Sequence, residues 1–208
     1  MTDPSFTKGD QARLDILKAA RRLFISHGYH GTSMRAIARA AGDRAVAGIY
    51  NHFPNKEAIF HALIEELNPY DELLAVLEDS LDGIDNAPDY VRTALSTTLR
   101  IMPRHIEFLQ IAQIDMREFG AATISGVIKH KVFPRIFPIM ARIQSLPGMK
   151  PLEQVVWMRT MASIVIGYVI TEQLSPVTIF GQFSHEEWAD SLADVLLYGM
   201  IDPSFPQE

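Results

Sequence analysis

The chain has 208 residues, 48% of them hydrophobic, with no cysteine and a formal net charge of −6. That length suits one large domain or a small one joined to a larger one, and the apolar content excludes global disorder. The lack of cysteine excludes a disulfide framework and thiol chemistry and is compatible with a reducing cytosol.

Residues 1–10 are polar, lack the apolar core of a signal peptide and read as a flexible arm. An amphipathic helix follows from Gln11 to His27. Its stripe is Ile16, Leu17, Ala20, Leu23 and Phe24, with Arg13, Lys18, Arg21 and Arg22 largely off it. Gly28 ends that helix. From Ser33 the chain reads as a short helix, a turn, a second short helix and the start of a third. Ser33 is the N-cap, Met34, Ile37 and Ala41 form one apolar face, and Gly42 supplies the stop. The second short helix, about Ala45–His52, cannot stand alone and leans on neighbours through Ile49 and Phe53. Two short helices around a tight glycine-containing turn make a helix-turn-helix, whose second helix can enter a DNA major groove.

The charge distribution agrees. Residues 1–60 carry nine basic and five acidic side chains, a balance of +4, whereas the remainder carries ten and twenty, a balance of −10. A basic first third on an acidic remainder fits a phosphate-binding head on a solvated body.

Asn55 caps the next helix, which runs through Ile59, Ala62, Leu63 and Glu66 until Asn68-Pro69 ends or kinks it. Helical periodicity resumes over Tyr70–Leu81, and Asp82–Asn86 is a turn. Helices are expected over Pro88–Met102, Pro103–Phe119, Ala121–Ser145 and Pro151–Leu174, with Pro147-Gly148 separating the last two. Ser175–Phe183 reads as a loop. Ser184 caps a final helix with Trp188, Leu192, Val195 and Gly199 along one face. No strand and no internal repeat is evident, so the expected fold is all-α with about nine helices. The longest uncharged run, Thr160–Thr171, is shorter than the ~20 residues a bilayer span needs, so no membrane partner is expected.

The pairs Gly28-Tyr29, Thr32-Ser33, Ile37-Ala38, Ala41-Gly42 and Ile49-Tyr50, with the run IYNHFPNKEAIF, resemble the N-terminal domain of TetR-type one-component transcriptional regulators over about Arg13–Glu66. The resemblance implies a DNA-binding domain over 1–54 and a ligand-binding and dimerisation domain over 55–208. It also implies a cytoplasmic homodimeric repressor, released from a pseudo-palindromic operator by a small molecule. Carried over residue by residue, the DNA contacts are Thr32, Ser33, Arg35, Arg44, Ala45, Val46, Ala47, Gly48, Tyr50, Asn51, His52 and Lys56. Tyr50, His52 and Lys56 are expected on phosphates, and Arg35 or Arg44 on a guanine edge. One departure stands out: where the family carries an apolar residue after the glycine, this chain has Asp43, in a turn one residue longer.

Two apolar stretches carry the rest. Val155–Ile170 is apolar on more than one face, which fits either a buried core helix or a dimer interface. With the family resemblance, the expected interface is Ala162, Val165, Gly167, Val169, Trp188, Leu192 and Val195. Ile101–Met140 is rich in methionine and aromatics, and Pro134 and Pro138 are expected to bend its helix and open space. Ligand contacts are expected from Met102, Phe108, Ile111, Met116, Phe133 and Phe137, joined by Trp157 and Met161, to a hydrophobic or aromatic molecule. The competing reading for each is core packing. Phosphate-loop and nucleophile-elbow motifs are absent, His185-Glu186-Glu187-Trp188 lacks a second zinc-ligating histidine, and no cofactor, metal or enzymatic activity is expected. The alternatives are a DNA-binding adaptor without a ligand, and a helical enzyme or carrier with a basic face.

Overall fold

In a computed structural model of the chain, residues 7–147, 149, 153–173 and 179–198 are described. Expectations that fall on residues 1–6, Gly148, Pro151, residues 174–178 and Gly199 lie outside them. The described residues are helical and include no strand. The α-helices are α1 (Lys8–His27), α2 (Met34–Ala40), α3 (Val46–Tyr50), α4 (Lys56–Leu67), α5 (Tyr70–Ser80), α6 (Ala87–Ile101), α7 (Ile106–Glu118), α8 (Ala122–Val127), α9 (Phe133–Gln144), α10 (Gln154–Glu172) and α11 (His185–Tyr198). Eight of these eleven run for eight residues or more, close to the nine expected.

The chain forms two compact units, the first made of residues up to Asn68 together with Glu107–Ile128. The N-terminal 54 residues are therefore joined, within this unit, by α4, α7 and α8. Of the predicted stripe of α1, Ile16, Leu17, Ala20 and Phe24 are fully enclosed and Leu23 is half-buried. Helices α2 and α4 pack against α1, and Ile37 of α2, Ile49 of α3, and Ile59, Phe60, Leu63 and Ile64 of α4 are as fully enclosed. An aromatic cluster extends this core: the Phe24 and Phe60 rings lie 5.5 Å apart, and Tyr29 meets Phe119 at 4.8 Å. Such edge-on pairs add about 0.5–1.5 kcal/mol beyond the area they bury.

Asp115 of α7 is a fully buried charged residue of this unit. Its Oδ2 accepts the N–H of Ile124 at 2.9 Å, and its backbone carbonyl accepts from Phe119 and Ala121. Ala121 sits in the left-handed region, at φ 64°, so α8 starts from a turn that Asp115 holds at two points.

The second unit comprises residues 69–106 and the described part of 129–208. Here α6 is central and packs against α5, α9, α10 and α11. Its buried face carries Tyr90, Val91, Leu95 and Leu99. On the surface, Arg92 bridges Asp190 and Asp194 of α11, and Arg135 grips both Glu78 oxygens at 2.8 and 2.7 Å. Exposed pairs of this kind contribute about 0–1 kcal/mol each, so they tie helices together more than they stabilise the unit.

Three expectations change. The helix expected over Pro103–Phe119 opens with a 3₁₀ turn, Met102–His105, because Pro103 has no N–H and prefers a first-turn position. The helix expected over Ala121–Ser145 is α8, a π-turn at Ile128–Val132, and α9. Pro134 lies in the first turn of α9 and Pro138 inside it, so two consecutive turns each lack one backbone donor. Third, α10 is long and apolar enough, by length and composition, to cross a bilayer, although its longest uncharged run is too short. Only its Tyr168 and Val169 are buried, while Val155, Val156, Ile166 and Ile170 are exposed.

Replacing Asp115 by Ala removes the acceptor of a buried N–H. The expected loss is about 1–3 kcal/mol of stability, read from the midpoint of urea unfolding at unchanged slope.

Candidate nucleic-acid interface

The interface is built on α1 to α3 and the start of α4. The Ser33 side chain caps α2 by accepting the Ala36 N–H at 3.1 Å. Thr32 is buried and its hydroxyl donates to the Gly28 carbonyl at 2.9 Å, which fixes the turn before α2. The turn after α2 holds two successive residues at positive φ, Gly42 at 96° and Asp43 at 52°. Aspartate tolerates that region because its short polar side chain adapts to it. The Asp43 N–H donates to the Arg39 carbonyl and the Arg44 N–H to the Ala38 carbonyl, so the longer turn still satisfies the end of α2.

Next comes α3, five residues long, with Ala45 as an N-cap that offers no side-chain bond. Ile49 is its anchor, and Phe53 just beyond it is buried under Arg13, whose guanidinium lies 5.1 Å from the ring centre. The outer side of α3 is bare. Ala45, Ala47, Tyr50 and Asn51 are exposed, Val46, Gly48 and His52 are half-buried, and a Cβ added to Gly48 would meet no atom within 4 Å. Arg35 is exposed on α2, and the side chains of Arg22, Arg35 and Arg39 make no ion pair or hydrogen bond among the described residues.

Besides the buried Thr32, two expected contact residues turn inward. Lys56 donates from Nζ to the Tyr29 carbonyl at 2.6 Å and the Thr32 carbonyl at 2.8 Å, and it lies 4.0 Å from the centre of the Tyr29 ring. Desolvation pulls its pKa below the ordinary lysine value. Arg44 donates from Nε to the Ala41 carbonyl at 3.0 Å and from Nη2 to Asp15 at 2.8 Å. Sequence reading had no way to find Asp15 or Tyr29 as partners, since each pair is separated by 27 or 29 positions.

The other candidates are spread more widely. Phe108, Ile111 and Met116 belong to the first unit, the first two in its core and Met116 exposed. Met102, Phe133, Phe137, Trp157 and Met161 belong to the second. Phe133 and Phe137 stack at 5.1 Å, and the turn carrying Met102 packs on α10, which bears Trp157 and Met161. Of the expected interface residues, Ala162, Gly167 and Val195 are exposed, Val165, Trp188 and Leu192 half-buried, and Val169 is enclosed by its own chain. Among the described residues no group of three or more His, Cys, Asp or Glu is arranged to hold a metal ion.

A short helix with an unfilled outer surface, set on two helices by a tight turn and flanked by unpaired arginines, defines a helix-turn-helix protein. The family described as "Bacterial regulatory proteins, tetR family" matches residues 16–63. The HTH-type transcriptional regulator UidR of Escherichia coli (strain K12) is 28% identical over 131 residues, which is 63% of this chain and 64% of UidR. The crystal structure of the TetR family regulator PfmR from Thermus thermophilus superposes with a TM-score of 0.66 at 20% identity, over 90% of this chain and 99% of that one. FadR from Bacillus subtilis, in complex with stearoyl-CoA, gives a TM-score of 0.63 at 18% identity over the same shares, 90% and 99%. Over residues 16–63 the chain is thus similar to the TetR-type regulators, and over 90% of its length it shares the fold of PfmR and FadR.

Replacing Lys56 by Met leaves two part-buried carbonyls without their charged donor. The expected cost is about 1–2 kcal/mol in chemical denaturation, with faster amide exchange in the Tyr29–Ser33 turn.

Proposed function

We propose that the chain is a homodimeric transcriptional repressor that binds a pseudo-palindromic DNA operator and leaves it when a small hydrophobic or aromatic molecule binds the C-terminal part. The observation that carries the DNA reading is the outer side of α3, where Ala45, Ala47 and Gly48 present no bulk and Gly48 faces open space. Glycine inside a helix costs about 0.5–1 kcal/mol relative to alanine, and nothing in the chain requires it here. Close approach of a second backbone does require it. Small side chains meet thymine methyls, and Arg35, exposed and unpaired, is suited to fork onto a guanine edge for about 1–3 kcal/mol of discrimination. Tyr50 and His52 reach phosphates. Lys56 commits two of its three N–H groups to the turn before α2 and has the third to offer.

A second copy covers α10. Val155, Val156, Ile166 and Ile170 are too apolar to face water as a group, and Gly167, whose added Cβ would meet nothing within 4 Å, permits close helix approach. A protein partner suits this helix better than a bilayer, because α10 also packs against α6 and the Met102–His105 turn. The dimer then presents two recognition helices to half-sites about one helical turn, 34–36 Å, apart or a multiple of it.

For the ligand, the Met102, Phe133, Phe137, Trp157 and Met161 group in the second unit is apolar and adaptable. The stearoyl-CoA held by FadR, a protein of the same fold, supports an apolar ligand of this kind. A ligand acts by preferring one of two arrangements of the recognition helices, and α4, ending at the Asn68-Pro69 break, is the lever that transmits it. The direct test is a mobility shift on DNA upstream of the chain's own gene, repeated with hydrophobic candidates. No shift refutes the DNA reading. A shift that no such molecule reverses favours a DNA-binding adaptor.

Two variants sharpen this. Gly48→Ala is expected to stabilise the free chain by about 0.5–1 kcal/mol while weakening operator binding, opposite signs that thermal unfolding and titration report separately. Gly167→Glu is expected to give a folded monomer by analytical ultracentrifugation, with operator affinity well below wild type.

A further inference from the structure

We propose that Asp15, an acidic residue in the middle of α1, positions the recognition helix through Arg44. This rests on the DNA reading above. The five-residue α3 has no side-chain cap, and the turn before it contains two residues at positive φ, Gly42 and Asp43. Such a turn can enter α3 in more than one direction, and its direction is set by Arg44, the residue between the turn and the helix cap. One guanidinium closes both sides. Its Nε holds the carbonyl of Ala41, the residue that caps the end of α2, at 3.0 Å, and its Nη2 holds Asp15 Oδ2 on α1 at 2.8 Å. The backbone N–H of the same residue holds the Ala38 carbonyl at 3.0 Å. The second oxygen of Asp15 is occupied as well, accepting from Gln11 Nε2 at 2.8 Å. Those two hydrogen bonds, from Gln11 and Arg44, hold the Asp15 carboxyl below the ordinary carboxylate range, so the brace stays charged at neutral pH. A planar fork is needed for this: a lysine ammonium lacks the fixed geometry to span both acceptors.

The sign of the effect separates this role from ordinary electrostatics. Removing an acid from a basic DNA-binding surface strengthens binding to phosphates, and alanine is a better helix former than aspartate. Both trends make Asp15→Ala a tighter, more helical binder. The brace makes it a worse reader, because α3 loses its setting.

The experiment uses duplexes that the wild-type chain selects from a randomised pool, with unselected pool as the non-specific probe. Asp15→Ala is expected to lose about tenfold or more in affinity for selected duplex, in the range of coupled neighbouring residues, and to keep or gain affinity for unselected duplex. Asp15→Glu, which keeps the carboxylate, recovers part of the loss. Arg44→Met loses the same preference, and the double variant Asp15→Ala/Arg44→Met loses no more than Arg44→Met alone. Amide exchange at Gly48–Tyr50 of the free protein is faster in Asp15→Ala. Wild-type or tighter binding of selected duplex by Asp15→Ala, together with a loss confined to one base pair in Arg44→Met, overturns the brace and makes Arg44 a base reader. If the wild-type chain selects no sequence, the DNA reading fails, and the exchange measurement decides the brace by itself: unchanged exchange overturns it.

Discussion

A helix of five residues closes barely one turn of hydrogen bonds, too few to offset the cost of ordering its backbone. So α3 exists because the rest of its unit holds it. Ile49 locks it from below, Phe53 pins its exit under Arg13, and Arg44 ties its entrance to two other helices. Each of these contacts depends on another. Ile49 and its helix need α2, α2 needs α1, α1 needs the aromatic cluster around Phe24 and Phe60, and the turn before α2 needs Lys56. The presentation of a surface that itself touches nothing is thus set by packing several helices away.

The same dependence explains what could be read in the sequence. The α1 stripe, the Ser33 and Asn55 caps and the break at Asn68-Pro69 are local signals, written within a few residues of where they act, and the structure carries all of them. The long stretch over 121–145 was harder. Periodicity over 121–145 does not register the loss of a donor at Pro134, which shifts the bonding pattern into a π-turn while the apolar spacing continues. Least legible were the roles of Lys56 and Arg44. Composition and position marked both as cations near DNA, but the carbonyls of Tyr29, Thr32 and Ala41 that claim them become available only once the turns have formed. A backbone acceptor has no letter in the sequence.

The second unit presents the opposite difficulty. In α10 apolar residues fall on more than one face, so the pattern names no single buried face. The structure resolves part of that ambiguity by enclosing Tyr168 and Val169 and leaving Val155, Val156, Ile166 and Ile170 outside. A helix that satisfies a core with a narrow strip has most of its circumference left for another surface.

The bareness of α3 has a consequence for how such a protein changes over generations. Ala45 and Ala47 are exposed and Gly48 borders open space, so replacing them disturbs no packing and no cap inside the chain. New side chains there are screened for what they meet outside, hardly at all for whether the fold survives. Positions such as Ile49 and Phe53 carry the reverse burden. Sequence preference and foldability are therefore written in separate residues of one short segment, and the first can drift to a new target while the second stays fixed.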